Sequence, residues 1–332
     1  MSDSAIWDVW LSAFHAPALA VADDLGMFAA LARAPATSGE VATALHVEAR
    51  AADTLLGLMA SLGFLTRLDG RFHLTDVART YLLPESPYYW GGFLRRIRDN
   101  PIDCKKIADS LRRGTAMRDA RVTGELWGRP QPPPEALRGF THAMHAHSFG
   151  LAVRVCAELA VPANTRLLDV GGGSGSYSIA LALHDPTVHC TVLDFPAVCE
   201  VAQEYAARNG VAERLAVAGA NMFVDAWPGG FDRVFFSDIL HDWADEECRR
   251  LVERAHGALR SGGRIMIHEM LLADTRDAPL AAITYSTVMV FVAEGRQRTA
   301  REIVDLLAAA GFVDVTVRLT SGGYALLEGT RP

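Results

Sequence analysis

Along the chain the spacing of apolar positions changes, and each change predicts a different element. From Ile6 to Ala32 apolar residues recur at helical spacing (Trp7, Trp10, Leu11, Phe14, then Leu19, Val21, Ala22, Leu25), which predicts two helices with Pro17 at a break or first turn. Ser38-Gly39-Glu40 opens a short helix and Ala52 to Leu62 carries another. Gly63 to Thr66 then leads to a charged tip, Asp69-Gly70, with Phe72 to Leu74 returning, which reads as a hairpin. Two helices followed by a small hairpin make a winged-helix pattern. Ser86 to Gly92 separates it from a helical connector carrying Arg95, Arg96 and Arg98, either a solvated helix face or a means of steering an anionic acceptor. The prolines of Pro130 to Pro134 cannot continue a helix and mark a boundary. The division expected is therefore 1–100, a connector over 101–134, and a larger domain over 135–332.

In the larger domain short apolar runs alternate with helical stretches. Strands are predicted at Leu167 to Val170, Val188 to Leu193, Leu215 to Ala218, Phe231 to Phe236 and Arg264 to Met270, the last following Ser261-Gly262-Gly263. Helices are predicted after the glycines that follow Val170, and at Pro196 to Asn209, Glu246 to Leu259 and Thr299 to Ala310. Such alternation predicts an α/β domain with a mostly parallel sheet covered on both faces. Phe312 to Leu319 and Tyr324 to Glu328, joined through Ser321-Gly322-Gly323, form a terminal antiparallel pair.

Composition narrows the partners. With 332 residues, half of them hydrophobic, the chain can bury a sizeable core, and a net charge of -7 gives no electrostatic reason to seek nucleic acid or an anionic membrane. No apolar run approaches the length of a span and the start lacks a basic leader, so a cytoplasmic enzyme is expected. Cys104, Cys156, Cys190, Cys199 and Cys248 are scattered, which fits reduced structural thiols. A DNA-reading helix would have to be the one around Ala52 to Met59, which is almost devoid of cations, so packing and dimerisation are the expected role.

The candidate chemistry centres on Leu167 to Leu183, where a strand ends in Asp169-Val170 and glycines at Gly171 to Gly175 open a helix. Bare backbone at a helix start receives a ligand that any Cβ would hold away. Asp194 closes the next strand about twenty residues on, the spacing that brings an acid onto a ribose edge. Ser176 stands where a dinucleotide fold wants glycine, and no P-loop lysine follows. His241 sits just past a strand end, on the edge where open α/β sheets place ligands, and a histidine there suits proton removal. Glu269, at the end of the following strand, is either the acceptor of its N–H or a structural ion-pair partner.

Asp169-Val170-Gly171-Gly172-Gly173-Ser174-Gly175, Asp194-Phe195-Pro196-Ala197-Val198, Ser237 to Trp243 and Gly311-Phe312 together resemble the S-adenosylmethionine (SAM) dependent small-molecule O-methyltransferases, the family of the plant caffeate-type and acetylserotonin enzymes. The resemblance covers nearly the whole chain. It implies a Rossmann-like class I methyltransferase domain preceded by a winged-helix dimerisation domain, hence a homodimer acting on a small secondary metabolite and releasing S-adenosylhomocysteine. It further implies that Gly171, Gly173 and Gly175 hold SAM, Asp194 its ribose, Met222 and Asn221 the adenine, and Ser148 the methionine tail, with His241 as base and Glu269 orienting it. Asn221 replaces the family's usual aspartate, Ser237 the lysine of plant members at a cofactor contact, and Gln297 their second glutamate beside the histidine. A neutral amide there raises the basicity of the histidine less.

An acceptor pocket is expected from Phe140, Met144, Trp243, Tyr285 and Met289, whose apolar character fits a planar ring and equally fits a core, with His147 as a hydrogen-bond donor to the acceptor. Phe140, Met144, His147 and Ser148 share a helical face, and His142 and His145 lie elsewhere. The preferred reading is O-methylation of an aromatic hydroxyl with no metal. One alternative is C-methylation beside the carbonyl of a 2-oxo acid, metal-assisted through His147, His241 and Glu269. A more remote alternative is a winged-helix regulator sensing a SAM-like ligand.

Overall fold

A computed structural model describes residues 2–101, 103–113 and 133–332. They divide into two compact units, Met1–Pro101 and Ile102–Pro332.

In the first unit the helices are α1 (Ser4–Ser12), α2 (His15–Asp24), α3 (Met27–Arg33), α4 (Ser38–Leu45) and α5 (Ala49–Ser61), followed by β1 (Leu65–Leu68), β2 (Arg71–Leu74), α6 (Asp76–Tyr81) and α7 (Gly91–Asp99). Three helices, not two, occupy the first stretch, because Gly26 at φ 75° ends α2 and starts α3. Pro17 lies in the first turn of α2, where its missing N–H costs nothing. Thr37 and Glu40 close a capping box on α4. Asp69 and Gly70 both take positive φ, the geometry a tight hairpin needs. The core gathers Met27, Phe28, Leu31, Leu56, Met59, Leu65 and Phe72, all nearly inaccessible to solvent.

Two expectations are corrected here. The helix with Arg95, Arg96 and Arg98 is α7, which packs on α2 within the first unit and is no separate connector, and Arg98 pairs with Asp24 and Asp99. Ser4–Asp24 is long and apolar enough to cross a membrane by length and composition, with a mean hydropathy of 1.3, contrary to the expectation that no run approaches that length. The near-continuity of α1 and α2 across Ala13 and Phe14 makes it so.

The second unit begins with α8 (Cys104–Arg113), which packs on a later helix, and α9 (Pro134–Val155). Of the expected proline boundary, Pro130 to Pro132 lie outside the described residues, as does most of the expected connector. There follow β3 (Arg166–Val170), α10 (Ser176–His184), β4 (His189–Asp194), α11 (Pro196–Arg208), β5 (Leu215–Gly219), β6 (Phe231–Ser237), α12 (Asp245–Ala258), β7 (Leu259–Glu269), α13 (Leu280–Val292), α14 (Ala300–Ala309), β8 (Val313–Leu319) and β9 (Ala325–Thr330). The sheet order is β5-β4-β3-β6-β7-β9-β8, parallel from β5 through β7 and antiparallel at β9 and β8. Leu168, Val234, Phe235, Phe236, Ile265 and Ile267 are fully buried, as central strands covered on both faces require. Strand β7 is longer than expected. It runs back through Ser261-Gly262-Gly263, with a register shift between Phe231 and Arg233 absorbing the glycines.

The chain builds β3, β4 and β5 outward in one direction, then returns past β3 to add β6 and β7 on the other side. The connections leave β3 and β6 in opposite directions, and that reversal opens a crevice at the carboxyl ends of the strands.

Candidate active site

The cradle at the end of β3 is built from close backbone approaches. Gly171 and Gly173 take φ of 66° and 58°, and Gly175, at 74°, caps α10. A Cβ on Gly171 would lie 2.5 Å from Ile239 Cδ1, and one on Gly172 would lie 2.6 Å from the carboxyl carbon of buried Asp169. Asp169 in turn accepts from Ser178 Oγ at 2.7 Å, and burial pushes its carboxyl up to about 7. Gly173 has open space where a Cβ would stand, and its N–H donates to Asp194 Oδ2 at 3.0 Å. The other oxygen of Asp194 accepts from Phe195 N at 2.8 Å, and each retains a lone pair for a ligand hydroxyl. Burial raises this carboxyl to about 6. A bare backbone, a helix start and an acid at the lip fit an adenosyl cofactor.

His145 braces this loop. Its Nδ1 lies 2.8 Å from Ser174 Oγ and 3.2 Å from Ser176 Oγ, and its ring stacks on Tyr205 at 3.6 Å and on Phe149 at 4.8 Å. Burial pushes it down to about 3, so it works as a neutral hydrogen-bonding wedge. Helical phase separated His145 from the acceptor face but could not show that it reaches the glycine loop.

At the other end of the crevice, β6 leads into a single short turn, Leu240–Asp242, that buries His241. One carboxylate fixes both turn and ring. Glu269 Oε1 accepts from Ile239 N at 3.1 Å and Leu240 N at 2.9 Å, while Oε2 lies 3.2 Å from His241 Nδ1. Gln297, fully buried, places amide Nε2 3.0 Å from the same Nδ1 and leaves Oε1 without a partner among the described residues. Rotating that amide by half a turn sets its oxygen on the ring N–H and removes the conflict between two donors. Asp238 Oδ1 lies 3.6 Å from Nδ1, and Asp242 Oδ1 lies 3.5 Å from Nε2. The edge of Tyr285 meets the ring at 5.1 Å.

Burial opposes charge on His241, but Glu269, Asp242 and Asp238 outweigh it and carry the imidazole up to about 10. Burial raises Asp242 to about 6. His147, on α9 with Nδ1 3.3 Å from Ser148 Oγ, is pushed down to about 4 by burial and then by His241. The ligand-type atoms that converge within 4.8 Å of one another belong to Asp238, His241 and Glu269. Among the described residues His147 is outside that set, and Glu269 Oε2 stands 3.2 Å from His241 Nδ1.

The remaining expected residues are distributed around these two ends. Phe140, Met144 and Ser148 are half-buried on α9, and Met289 is buried on α13. Asn221 turns its Oδ1 onto Phe223 N at 2.9 Å. Trp243, expected in the acceptor pocket, packs edge-on against Phe223 at 4.6 Å, in the cluster that also holds Met222. Ser237 Oγ is tied to His268 Nδ1 at 3.1 Å, and His268 Nε2 meets Thr320 Oγ1 at 2.9 Å. Sequence reasoning also passed over Gly295. A Cβ there would lie 2.3 Å from His241 O and 2.5 Å from Trp243 N, so only glycine lets this loop press on the histidine turn. Buried Arg298 completes the clamp, donating to Leu240 O at 2.7 Å and Trp243 O at 2.9 Å.

The family model for an O-methyltransferase domain matches residues 106–313, and that for an O-methyltransferase dimerisation domain matches residues 7–84. A curated relative, 3-hydroxy-5-methyl-1-naphthoate 3-O-methyltransferase of Streptomyces sahachiroi, is 34% identical over 92% of this chain and 88% of its own length. An L-tyrosine C(3)-methyltransferase of Streptomyces lavendulae is 29% identical over 80% of this chain and 74% of its own. Among solved structures, human N-acetylserotonin methyltransferase in complex with SAM superimposes with a TM-score of 0.81 at 25% identity, covering 100% of this chain and 99% of that one.

Proposed function

The chain belongs to the O-methyltransferase family, and we propose from that premise that it methylates the hydroxyl of a small aromatic metabolite with His241 as the base. SAM is the methyl donor; bound, it supplies a methyl group on a sulfonium, an electrophile that needs an aligned nucleophile more than covalent help. In this reading Gly171, Gly173, Gly175, Asp194, Met222, Asn221 and Ser148 hold the donor. Phe140, Met144, His147, Tyr285 and Met289 form the acceptor wall.

The observation that carries the proposal is the double use of Glu269. By accepting from the backbone of the turn with one oxygen and setting the other 3.2 Å from Nδ1 of the ring, it pairs with the histidine on that side and leaves Nε2 to take the acceptor's proton. His241→Ala should keep SAM affinity, measured by calorimetry, while turnover falls about a hundredfold or more. Undiminished turnover would sink the base assignment.

The buried carboxylates around His241 speak against a 2-oxo acid, whose own carboxylate would be desolvated among them. Carbon methylation retains one foothold, the relative that acts at C3 of tyrosine. A phenolate carries nucleophilic density on oxygen and on the neighbouring ring carbon, so one base serves both outcomes and the tilt of the acceptor selects between them. The carbon NMR shift of a labelled methyl in the product, methoxy or aryl, separates the two.

The unit that carries the dimerisation match supports a homodimer formed through the N-terminal region. Its α1 has no buried residue and exposes Ile6, Trp7, Val9 and Trp10.

A further inference from the structure

Asp238 is the first residue past β6, and it adopts φ 53°, in the left-handed region that few residues other than glycine, asparagine and aspartate take. Neighbouring strands hold it there. Its N–H donates to His268 O at 3.2 Å, and its Oδ2 accepts from Tyr324 OH at 3.0 Å, Tyr324 itself being stacked on His268. What the strained backbone delivers is the other oxygen. Oδ1 is buried, has no hydrogen-bond partner among the described residues, and lies 3.6 Å from His241 Nδ1. Backbone strain kept in place by this many contacts belongs to function more often than to packing.

Resting on the reading of His241 as the base, we infer that Asp238 is a positioning residue for it, a second carboxylate that works with Glu269 from the Nδ1 side to hold the ring's proton and set its basicity. Every other group at that nitrogen is accounted for. Gln297 offers only a neutral amide, Asp242 faces Nε2, His147 adds a like charge when protonated, and Tyr285 approaches by its edge. Tyr177 and Tyr324 lie near the carboxylates, and Arg298 is spent on the backbone of the turn and on Asp245. Burial raises the Asp238 carboxyl to about 7 against the pull of His241, so it is charged on the alkaline side where His241 gives up its proton.

The test follows the ring itself. Histidine-labelled full-length protein, without acceptor, is titrated by NMR, with the His241 signal assigned from its loss in His241→Gln. Asp238→Asn and Asp238→Gly, both tolerant of positive φ, should each lower the His241 titration by about one pH unit, because a negative neighbour has gone. The acid limb of kcat/KM should move down with it, and the alkaline plateau should fall a few-fold as the base weakens. SAM affinity should stay unchanged. Adding Gln297→Glu to Asp238→Asn puts a carboxylate back within reach of Nδ1 and should return the titration towards its original position. An unmoved titration in both variants overturns the inference, and so does lost SAM affinity with an unmoved limb, which would make Asp238 a cofactor contact. If His241→Gln keeps full turnover, it is the base reading that fails; if it is inactive while the Asp238 variants titrate as wild type, only the positioning role fails.

Discussion

A histidine carried up to about 10 is charged at neutral pH, and only its neutral form removes a proton. Activity should therefore rise with pH well above neutrality. Measuring kcat/KM with acceptors of different hydroxyl pKa assigns the limb, since a limb belonging to His241 stays fixed while one belonging to the acceptor moves with it. The same pair stabilises the fold. The imidazole is raised from 6.5 and the Glu269 carboxyl is lowered from 4.5, so their contribution is full between those two values and is lost as pH rises through about 10. Glu269→Gln should cost roughly 3 kcal/mol in that window, as expected for leaving a buried charge without its partner. The gap to wild type in denaturant unfolding should close towards pH 10; a gap independent of pH would mean that the pair is not ionised.

At the scale of elements, the histidine turn is held by the loop from Glu294 to Arg298 as much as by its own strand. Glu294 N donates to Asp242 O at 3.1 Å, and Gly295 lies so close that an added Cβ would meet backbone atoms that cannot move aside. Gly295→Ala should displace His241 and lower kcat by roughly a hundredfold, the penalty of about an ångström of misplacement, while leaving SAM affinity intact because the glycine cradle is made by other elements. Equal loss of both would point to a general collapse. The strands that carry the site were legible in the sequence, since apolar runs ending in Asp169-Val170, Asp194 and Ser237 mark carboxyl edges whatever the tertiary detail. Helix α13 was not predicted. Leu280 to Val292 is apolar all round and rich in β-branched residues, so it has no helical period to read, although Tyr285 and Met289 were still picked out for the pocket. Asp238 was illegible for a different reason. Its role depends on a left-handed backbone and on Tyr324, just before the last strand, and neither leaves a mark in local sequence.

At the scale of the whole molecule, a stripe of exposed apolar side chains lies at the N-terminal end. Ile6 and Val9 are 75% and 74% exposed, and Trp7, Trp10 and Phe14 are each more than half exposed, stacked edge to face along α1 into α2. Leaving such a stripe in water forgoes about 25 cal/mol for every Å² that could be covered, a loss few stable proteins sustain over several large side chains. Its length and composition would also suit a membrane, but α7, packed on α2, carries Arg95, Arg96 and Arg98, and α1–α2 belongs to the stretch matching a dimerisation domain. A second copy is the occupant this favours. Trp7→Glu with Trp10→Glu should convert a dimer to a monomer in sedimentation velocity without unfolding the first unit, whose core of Phe28, Leu56 and Phe72 does not include these residues. A wild-type protein that is monomeric at micromolar concentration and floats with lipid vesicles would instead assign the stripe to a membrane. If the variant is monomeric and keeps full turnover, then each protomer's catalytic unit holds a complete site and the dimer serves stability alone.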